Sequence, residues 1–189
     1  EIALALNRLG IKTTLITGPT NLVLNRDIKT KKITSAKEMY EEVKKTLPVD
    51  IAICAAAVAD FKPVKKNKNK LTKNQYSFKS IDLEKNKDIV EYLGKNNKNR
   101  PRIVVGFSAE TENLSKNAII KLKQKNCDMI IANDVSKKDS GFNSDYNRVL
   151  IIEGNGNVKV LKRNKKSFIA NKIAEVVLDK LLINDRNFN

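Results

Sequence analysis

The spacing of apolar and polar positions changes period along the chain, and each change marks an element. Glu1-Ile-Ala-Leu-Ala-Leu-Asn-Arg-Leu9 has helical spacing, and Gly10 is placed to close that helix in the left-handed conformation. A β-rich strand from Ile11 to Thr17 ends in Gly18-Pro19-Thr20. Ser35-Ala-Lys-Glu38 is a capping box opening a helix with Met39, Val43 and Leu47 on one face, which Pro48 and Asp50 stop. Asp50 to Ala57 is an unbroken apolar run, the pattern of a strand covered on both faces as in parallel sheets. Residues 62–80 are rich in Lys and Asn and read as a long polar loop, a kind of segment that often serves as an active-site lid. A short helix from Asn86 to Leu93 follows, then a strand from Arg102 to Ser108 that breaks at Gly106-Phe107. Glu112 to Asn126 is an amphipathic helix with Leu114, Ala118, Ile119 and Leu122 facing inward, leading to a core strand from Asp128 to Ala132. Arg148 to Ile152 and Val158 to Leu161 form a hairpin through Gly154-Asn-Gly156. Ser167 caps a last helix whose apolar face holds Ile169, Ile173, Val176, Val177 and Leu181.

Strands alternating with helices, then a hairpin, predict an α/β fold: Rossmann-like, three-layered and doubly wound, with a mostly parallel sheet and a C-terminal hairpin and helix. No repeat or internal boundary is visible, so residues 1–189 read as a single domain. The opening helix has no N-cap residue and feeds a buried strand, which is the second half of a βαβ unit. The expectation is an N-terminally truncated domain, whose first strand and phosphate-binding loop would precede Glu1.

Composition narrows the chemistry. The chain has 189 residues, 41% of them hydrophobic, an ordinary proportion for a globular domain. No apolar run approaches the ~20 residues of a membrane span, and no signal peptide is visible, so no membrane association is expected. Two cysteines, Cys54 and Cys127, lie inside apolar or amphipathic segments and read as buried free thiols of a reducing, cytoplasmic compartment. Histidine is absent, which excludes Ser–His and Cys–His nucleophile systems and histidine-based zinc sites. The net charge of +16 invites a nucleic-acid reading. Against it, Asn is as conspicuous as Lys, the lysines are scattered over every predicted surface, and aromatics are only 5%. No nucleic-acid partner is expected; the charge would instead steer a phosphorylated substrate.

In doubly wound sheets ligands bind beyond the carboxyl ends of the strands. That rule selects Gly18-Pro-Thr20, Val58-Ala-Asp60-Phe61, Gly106-Phe107-Ser108-Ala-Glu110-Thr111 and Asn133-Asp134-Val135. Asp60, following a run of alanines, either faces a pocket or caps a turn. Lys121 and Lys125 stand four apart on one helix and project from one side; they are either two solvated lysines or a cationic clamp for a triphosphate.

Several stretches, in order and spacing, resemble the phosphopantothenate–cysteine ligases. They are Leu15-Ile-Thr-Gly-Pro-Thr20, Thr34-Ser-Ala-Lys-Glu-Met39, Ala56-Ala-Val-Ala-Asp60, Lys70-Leu-Thr-Lys73, Asn86-Lys-Asp-Ile89, Val105-Gly-Phe-Ser-Ala-Glu-Thr111, Lys121 with Lys125, and Ala132-Asn-Asp-Val-Ser136 followed by Gly141-Phe-Asn-Ser-Asp145. The resemblance covers essentially the whole chain. It implies that CTP activates the carboxylate of 4′-phosphopantothenate as an acyl-cytidylate, that cysteine's amine then displaces CMP, and that magnesium assists. It further implies CTP-binding positions at Asp60, Lys70, Asn86, Lys87, Asp88, Ile89, Phe107, Lys121 and Lys125, with Lys70 closing over the reacting centre as the catalytic lysine. A homodimer is implied, and so is a possible fused phosphopantothenoylcysteine decarboxylase domain, which would bring FMN. The family's Gly-Gly-Thr loop and a catalytic asparagine would precede Glu1. The chain departs from the family pattern at Thr72, Lys87 and Ser108. Alternatives kept open are an inactive or merely nucleotide-binding remnant of that enzyme, a generic Rossmann oxidoreductase and a basic nucleic-acid-binding domain.

Overall fold

The computed structural model describes residues 1–23, 25–65, 80–96, 98–110, 112–136 and 144–186. Helix α1 spans Ile2–Arg8 and is closed by Gly10 at φ +76°, a conformation that costs glycine little. Strand β1 (Thr14–Thr17) pairs in parallel with β2 (Lys29–Lys32), a strand whose four-residue Lys/Thr sequence carries no apolar alternation to announce it. Helix α2 spans Ala36–Thr46, with the Ser35 hydroxyl accepting from the Glu38 N–H at 3.2 Å. The Glu38 carboxylate reaches one residue further back than a capping box requires, accepting the Thr34 N–H at 2.8 Å.

A five-stranded sheet follows in the order β3-β6-β7-β8-β9, formed by Ile51–Cys54, Ile103–Glu110, Met129–Asp134, Tyr146–Glu153 and Val158–Lys165. Pairing is parallel from β3 through β6 to β7 and antiparallel across the C-terminal hairpin. Between β3 and β6 lie a two-stranded antiparallel arm, β4 (Phe61–Pro63) with β5 (Leu83–Lys85), and helix α3 (Ile89–Lys95). Helix α4 (Leu114–Lys125) joins β6 to β7, and α5 (Lys166–Arg186) closes the described chain.

The strands carry two apolar faces, which makes three layers. Val104, Ile130, Ala132 and Ile152 pack with Met39 of α2, Ile89 and Leu93 of α3, and Ala118 and Leu122 of α4. On the opposite face Ile103, Val105, Ile131 and Ile151 pack with Ile169, Ile173 and Val177 of α5, and α1 lies against α5 through Ala5, Leu6, Ala170 and Ala174. The doubly wound α/β reading therefore holds.

Four local expectations need correction. The Asp50–Ala57 run yields a strand of only four residues, Ile51–Cys54, all half-buried, because among the described residues β3 pairs on one side only; Ala55, Ala56 and Ala57 are exposed. β6 does not break at Gly106-Phe107 but runs on to Glu110. Gly106 is there for packing: a Cβ would stand 2.8 Å from Ile130 Cδ1 and 3.3 Å from Val90 Cγ1. Ile119 is 37% exposed, since the inward stripe of α4 follows Leu114, Ala118 and Leu122. Ser167 lies inside α5, which starts at Lys166 directly after β9.

Helices α3 and α4 touch at Gly94, where a Cβ would meet the Lys125 carbonyl oxygen at 2.1 Å and the Asn126 carbonyl oxygen at 2.7 Å. Both contacts are backbone, so Gly94→Ala must force the helices apart. Overpacking of this kind costs about 1–3 kcal/mol. We expect a fall in melting temperature of roughly 3–10 °C in thermal unfolding followed by circular dichroism; an unchanged midpoint would refute the contact.

Candidate functional site

A cavity of about 1770 Å³ opens at the carboxyl ends of β3 and β6 and extends between β1 and β3. Its wall gathers most of the residues singled out in the sequence: Asp60, Asn86, Lys87, Asp88, Ile89, Phe107, Lys121 and Lys125. Lys70 lies outside the described residues, as do Leu71, Thr72, Lys73, Thr111 and Gly141-Phe-Asn143.

The segment after β3 is fixed by Asn86. Its side-chain Nδ2 donates to the Ala59 carbonyl at 2.9 Å, and its backbone N–H donates to the Asp60 carbonyl at 2.8 Å. Asn86 thus joins Ala59-Asp60 to the entry of α3, and Asp60 is left exposed on the cavity wall. Lys87 is exposed beside it. Ile89 turns into the core with 8% exposure, so its side chain serves packing while the backbone at the start of α3 faces the cavity region. Phe107 is half-buried on β6, packed against the cluster under α5.

Asp88 holds two partners with separate oxygens. Its Oδ1 accepts the Glu91 N–H at 2.8 Å as the N-cap of α3, and its Oδ2 accepts the ammonium of Lys125. Glu91 Oε2 stands 4.0 Å from the same ammonium. The hydrogen bond to Asp88 holds the Lys125 ammonium above its ordinary range, against the opposing effect of burial and with further help from the charges of Asp88, Glu91 and Asp60. Lys121 donates to Glu110 Oε1 at 2.7 Å, and Glu110, only 11% exposed at its side chain, also accepts from Asn117 Nδ2 at 3.2 Å. The two lysines do share a side of α4, but each is engaged by a carboxylate. Sequence spacing gave no hint of this. Glu110 was visible only as a residue beyond the carboxyl end of a strand and as part of the Val105–Thr111 stretch, with no partner indicated.

The rest of the wall is less polar. Ser108, 5% exposed on β6, has a buried hydroxyl with no hydrogen-bond partner among the described residues. Burial pushes the thiol of Cys127 up to about 12, and Cys54 also to about 12, with Cys127 itself a secondary cause for Cys54. Neither thiol is nucleophilic near neutrality. Asn133 and Asp134, the other strand-end pair, are used internally: Asn133 Oδ1 accepts from Asn147 Nδ2 at 3.0 Å and Asp134 Oδ1 accepts from the Ser136 N–H at 3.1 Å. Among the described residues no group of three or more His, Cys, Asp or Glu side chains is placed to hold a metal ion, and no helix is long and apolar enough to cross a membrane.

This arrangement can bind an anion. Two ammonium groups on one helix face the cavity, each in an ion pair that is partly open to water. A polyanion offering several charged oxygens can compete with both carboxylates: the Lys125–Asp88 pair is partly open to water, where exposed pairs contribute only about 0–1 kcal/mol, and the largely buried Glu110 keeps Asn117 as a hydrogen-bond donor when Lys121 leaves. Lys125 can leave Asp88 without uncapping α3, because the cap uses the other oxygen.

The description of the matching family model is the DNA/pantothenate metabolism flavoprotein C-terminal domain, and the match covers residues 1–181. Similar curated proteins include the coenzyme A biosynthesis bifunctional protein CoaBC of Borreliella burgdorferi, 41% identical over 172 residues, which are 90% of this chain and 43% of that protein. The CoaBC of Haemophilus influenzae is 36% identical over 177 residues, 93% of this chain and 44% of that protein. The chain therefore spans less than half the length of these relatives. A crystal structure of the C-terminal domain of a CoaBC superposes with a TM-score of 0.72 at 29% identity, covering 98% of this chain and 81% of that one.

The shifted groups make stability fall in alkali. Lys125 holds its proton more firmly folded than unfolded, so its contribution is complete below its ordinary 10.5 and is lost above it. Unfolded thiols ionise near 9.0, but the folded ones do so only near 12, so stability declines across that interval as well. We expect the urea midpoint to drop steadily from pH 9 upward, and Cys127→Ala to flatten part of the slope. A flat profile in the parent protein would contradict these placements.

Proposed function

We propose, from the premise that this chain belongs to the DNA/pantothenate metabolism flavoprotein C-terminal domain family, that it carries the CTP-dependent ligation of cysteine to 4′-phosphopantothenate in coenzyme A biosynthesis. The observation that carries the reading is the cavity wall itself. It unites Asp60, the Asn86–Ile89 turn, Phe107 and the Lys121/Lys125 pair, which are far apart in sequence and coincide with the nucleotide positions implied by the resemblance.

In this reading Lys121 and Lys125 exchange Glu110 and Asp88 for phosphate oxygens. Each ammonium donates charge-assisted hydrogen bonds, which are about twice as strong as neutral ones. The backbone at the start of α3 adds N–H donors with the favourable dipole of a helix beginning. Lys70 supplies positive charge where negative charge develops on the acyl and phosphoryl oxygens. Holding the activated acyl group beside cysteine's amine supplies the remaining acceleration through proximity. None of these steps requires a histidine, in keeping with a chain that has none.

Magnesium fits as a companion of the triphosphate. The described residues form no carboxylate cage, and Mg²⁺ commonly sits on substrate phosphates with one or two carboxylates and several waters. Asp60, an exposed carboxylate on the wall near Lys125, would serve that purpose. When bound, the ion would neutralise part of the phosphate charge. FMN would enter only with a fused decarboxylase domain, and the two free thiols suit the cytoplasm.

The reading is tested by nucleotide binding and by pyrophosphate release from CTP on adding 4′-phosphopantothenate, measured on this chain. CTP should bind at least about tenfold tighter than ATP, a difference of ~1.4 kcal/mol. Lys121→Ala and Lys125→Ala should each weaken CTP about 10–100-fold, the value of one charged hydrogen bond. Lys70→Ala should suppress product formation far more than it weakens CTP. Equal affinity for ATP, or unchanged CTP binding in both α4 variants, would overturn the reading. A basic nucleic-acid binder would instead ignore CTP and lose affinity steeply with salt.

The resemblance also implies a homodimer. The β4–β5 arm carries exposed Phe61 and Leu83, with exposed Ile81 just ahead of β5, and is the surface we assign to that contact. Sedimentation velocity should show a dimer that Phe61→Asp dissociates; a monomer at every concentration would remove the assignment.

A further inference from the structure

We infer that Ser108 is a ligand contact whose hydroxyl meets the heterocyclic base of the nucleotide. The inference rests on the nucleotide reading above and adds to it a residue that the resemblance does not assign.

Among the described residues Ser108 is the only buried polar one, and its hydroxyl is the only buried side-chain oxygen or nitrogen without a hydrogen-bond partner. Elsewhere the molecule satisfies such groups. Asn117 donates to Glu110 at 3.2 Å, Asn126 to the Gly94 carbonyl at 2.7 Å and Asn147 to Asn133 at 3.0 Å. A buried hydroxyl left unpaired lowers stability, and an alanine of nearly the same shape would avoid that penalty. The neighbour of Ser108 on β7 is Ala132, whose side chain offers no partner. Ser108 does line the cavity, so a partner can arrive with the ligand.

Side chains of β6 alternate between the two faces of the sheet. Ile103, Val105 and Phe107 pack on the α5 side, and Val104 packs on the α3 and α4 side. Ser108 and Glu110 share the face of Val104, in agreement with the bond from Lys121 of α4 to Glu110. The preceding position on that face, Gly106, is closed, since a Cβ there would meet Ile130 and Val90. Pairing of β3 with β6 ends at Cys54 and Gly106, and the wall beyond it is made by Ala55, Ala56 and Ala57.

This setting suits one part of a nucleotide. The triphosphate belongs with Lys121 and Lys125, whose ammonium groups are partly open to water. The ribose is polar around its rim and favours water as well. The base has apolar faces and a polar edge. Small residues, Gly106, Ala132 and the three alanines, let a flat ring approach, and a hydroxyl that both donates and accepts meets its edge. One torsion sets where that hydroxyl points, so Ser108 can turn to a ligand without a backbone shift.

The test compares the parent chain with Ser108→Ala. The probes are CTP, ribose 5-triphosphate and inorganic tripolyphosphate, titrated by calorimetry, and the melting temperature of the free protein is read by circular dichroism. We expect Ser108→Ala to raise the melting temperature by roughly 2–8 °C, to weaken CTP about 3–10-fold, and to leave both base-free probes unchanged. Lys125→Ala should weaken all three. Unchanged CTP affinity in Ser108→Ala would remove the Ser108 contact and leave the nucleotide reading standing. Equal weakening of CTP and ribose 5-triphosphate would put the contact on the sugar or the phosphates and overturn the assignment to the base. A parent chain that binds no CTP would remove the nucleotide reading and this inference together.

Discussion

The contact between α3 and the end of α4 is the constraint on which the site depends. Gly94 lets the two helices meet at backbone distance. Asn126, held left-handed at φ 53°, ends α4 and sends its Nδ2 back to the Gly94 carbonyl at 2.7 Å. Arg100 then ties the junction together, donating to the carbonyls of Gly94, Pro101 and Asn126 and to Asp128 Oδ2 at 2.9–3.0 Å. Asp128 passes the restraint into the sheet by accepting the Val104 N–H at 2.8 Å. A single guanidinium therefore fixes the phase of two helices against β6 and β7. That phase is what brings Lys125, from one helix, to Asp88, from the start of the other.

Electrostatics at the site run against the average of the molecule. The chain carries a net charge of +16, so its long-range field draws anions toward every face. At the cavity, however, the two lysines best placed to bind a polyanion are paired with Glu110 and Asp88. The general field supplies attraction, and the local pairs set selectivity. A single carboxylate or chloride gains little by replacing an existing carboxylate. A polyanion with several charged oxygens can compete at both lysines together.

Local features were legible where a short-range rule decides them. The Ser35 cap, the Gly10 helix end, the Gly154–Gly156 hairpin and the apolar face of the last helix all depend on neighbours a few residues away, and the structure bears them out. Where a distant partner decides, the local pattern misled. Gly106 looks like a strand breaker but is a packing site shaped by Val90 and Ile130. Ile119 fits the helical stripe by spacing, yet sits beyond the edge of what the sheet covers. The β4–β5 arm is polar enough at Lys62, Glu84 and Lys85 to pass for loop, because a two-stranded ribbon in solvent needs no apolar alternation.

The sequence by itself determined the order of the helices and of the core strands, the doubly wound α/β class and the set of residues from which the site is drawn, since periodicity, caps and motif spacing are properties of the chain alone. Tertiary structure decided what each of those residues does. Asn86 became a pin on the Ala59-Asp60 turn, Ile89 a core residue, and Lys121 and Lys125 partners of Glu110 and Asp88. Asp88 and Lys125 lie 37 positions apart, as the bond between them records. No spacing rule reaches that far, because the meeting of two charges at such separation is set by how the helices that carry them pack on a common sheet.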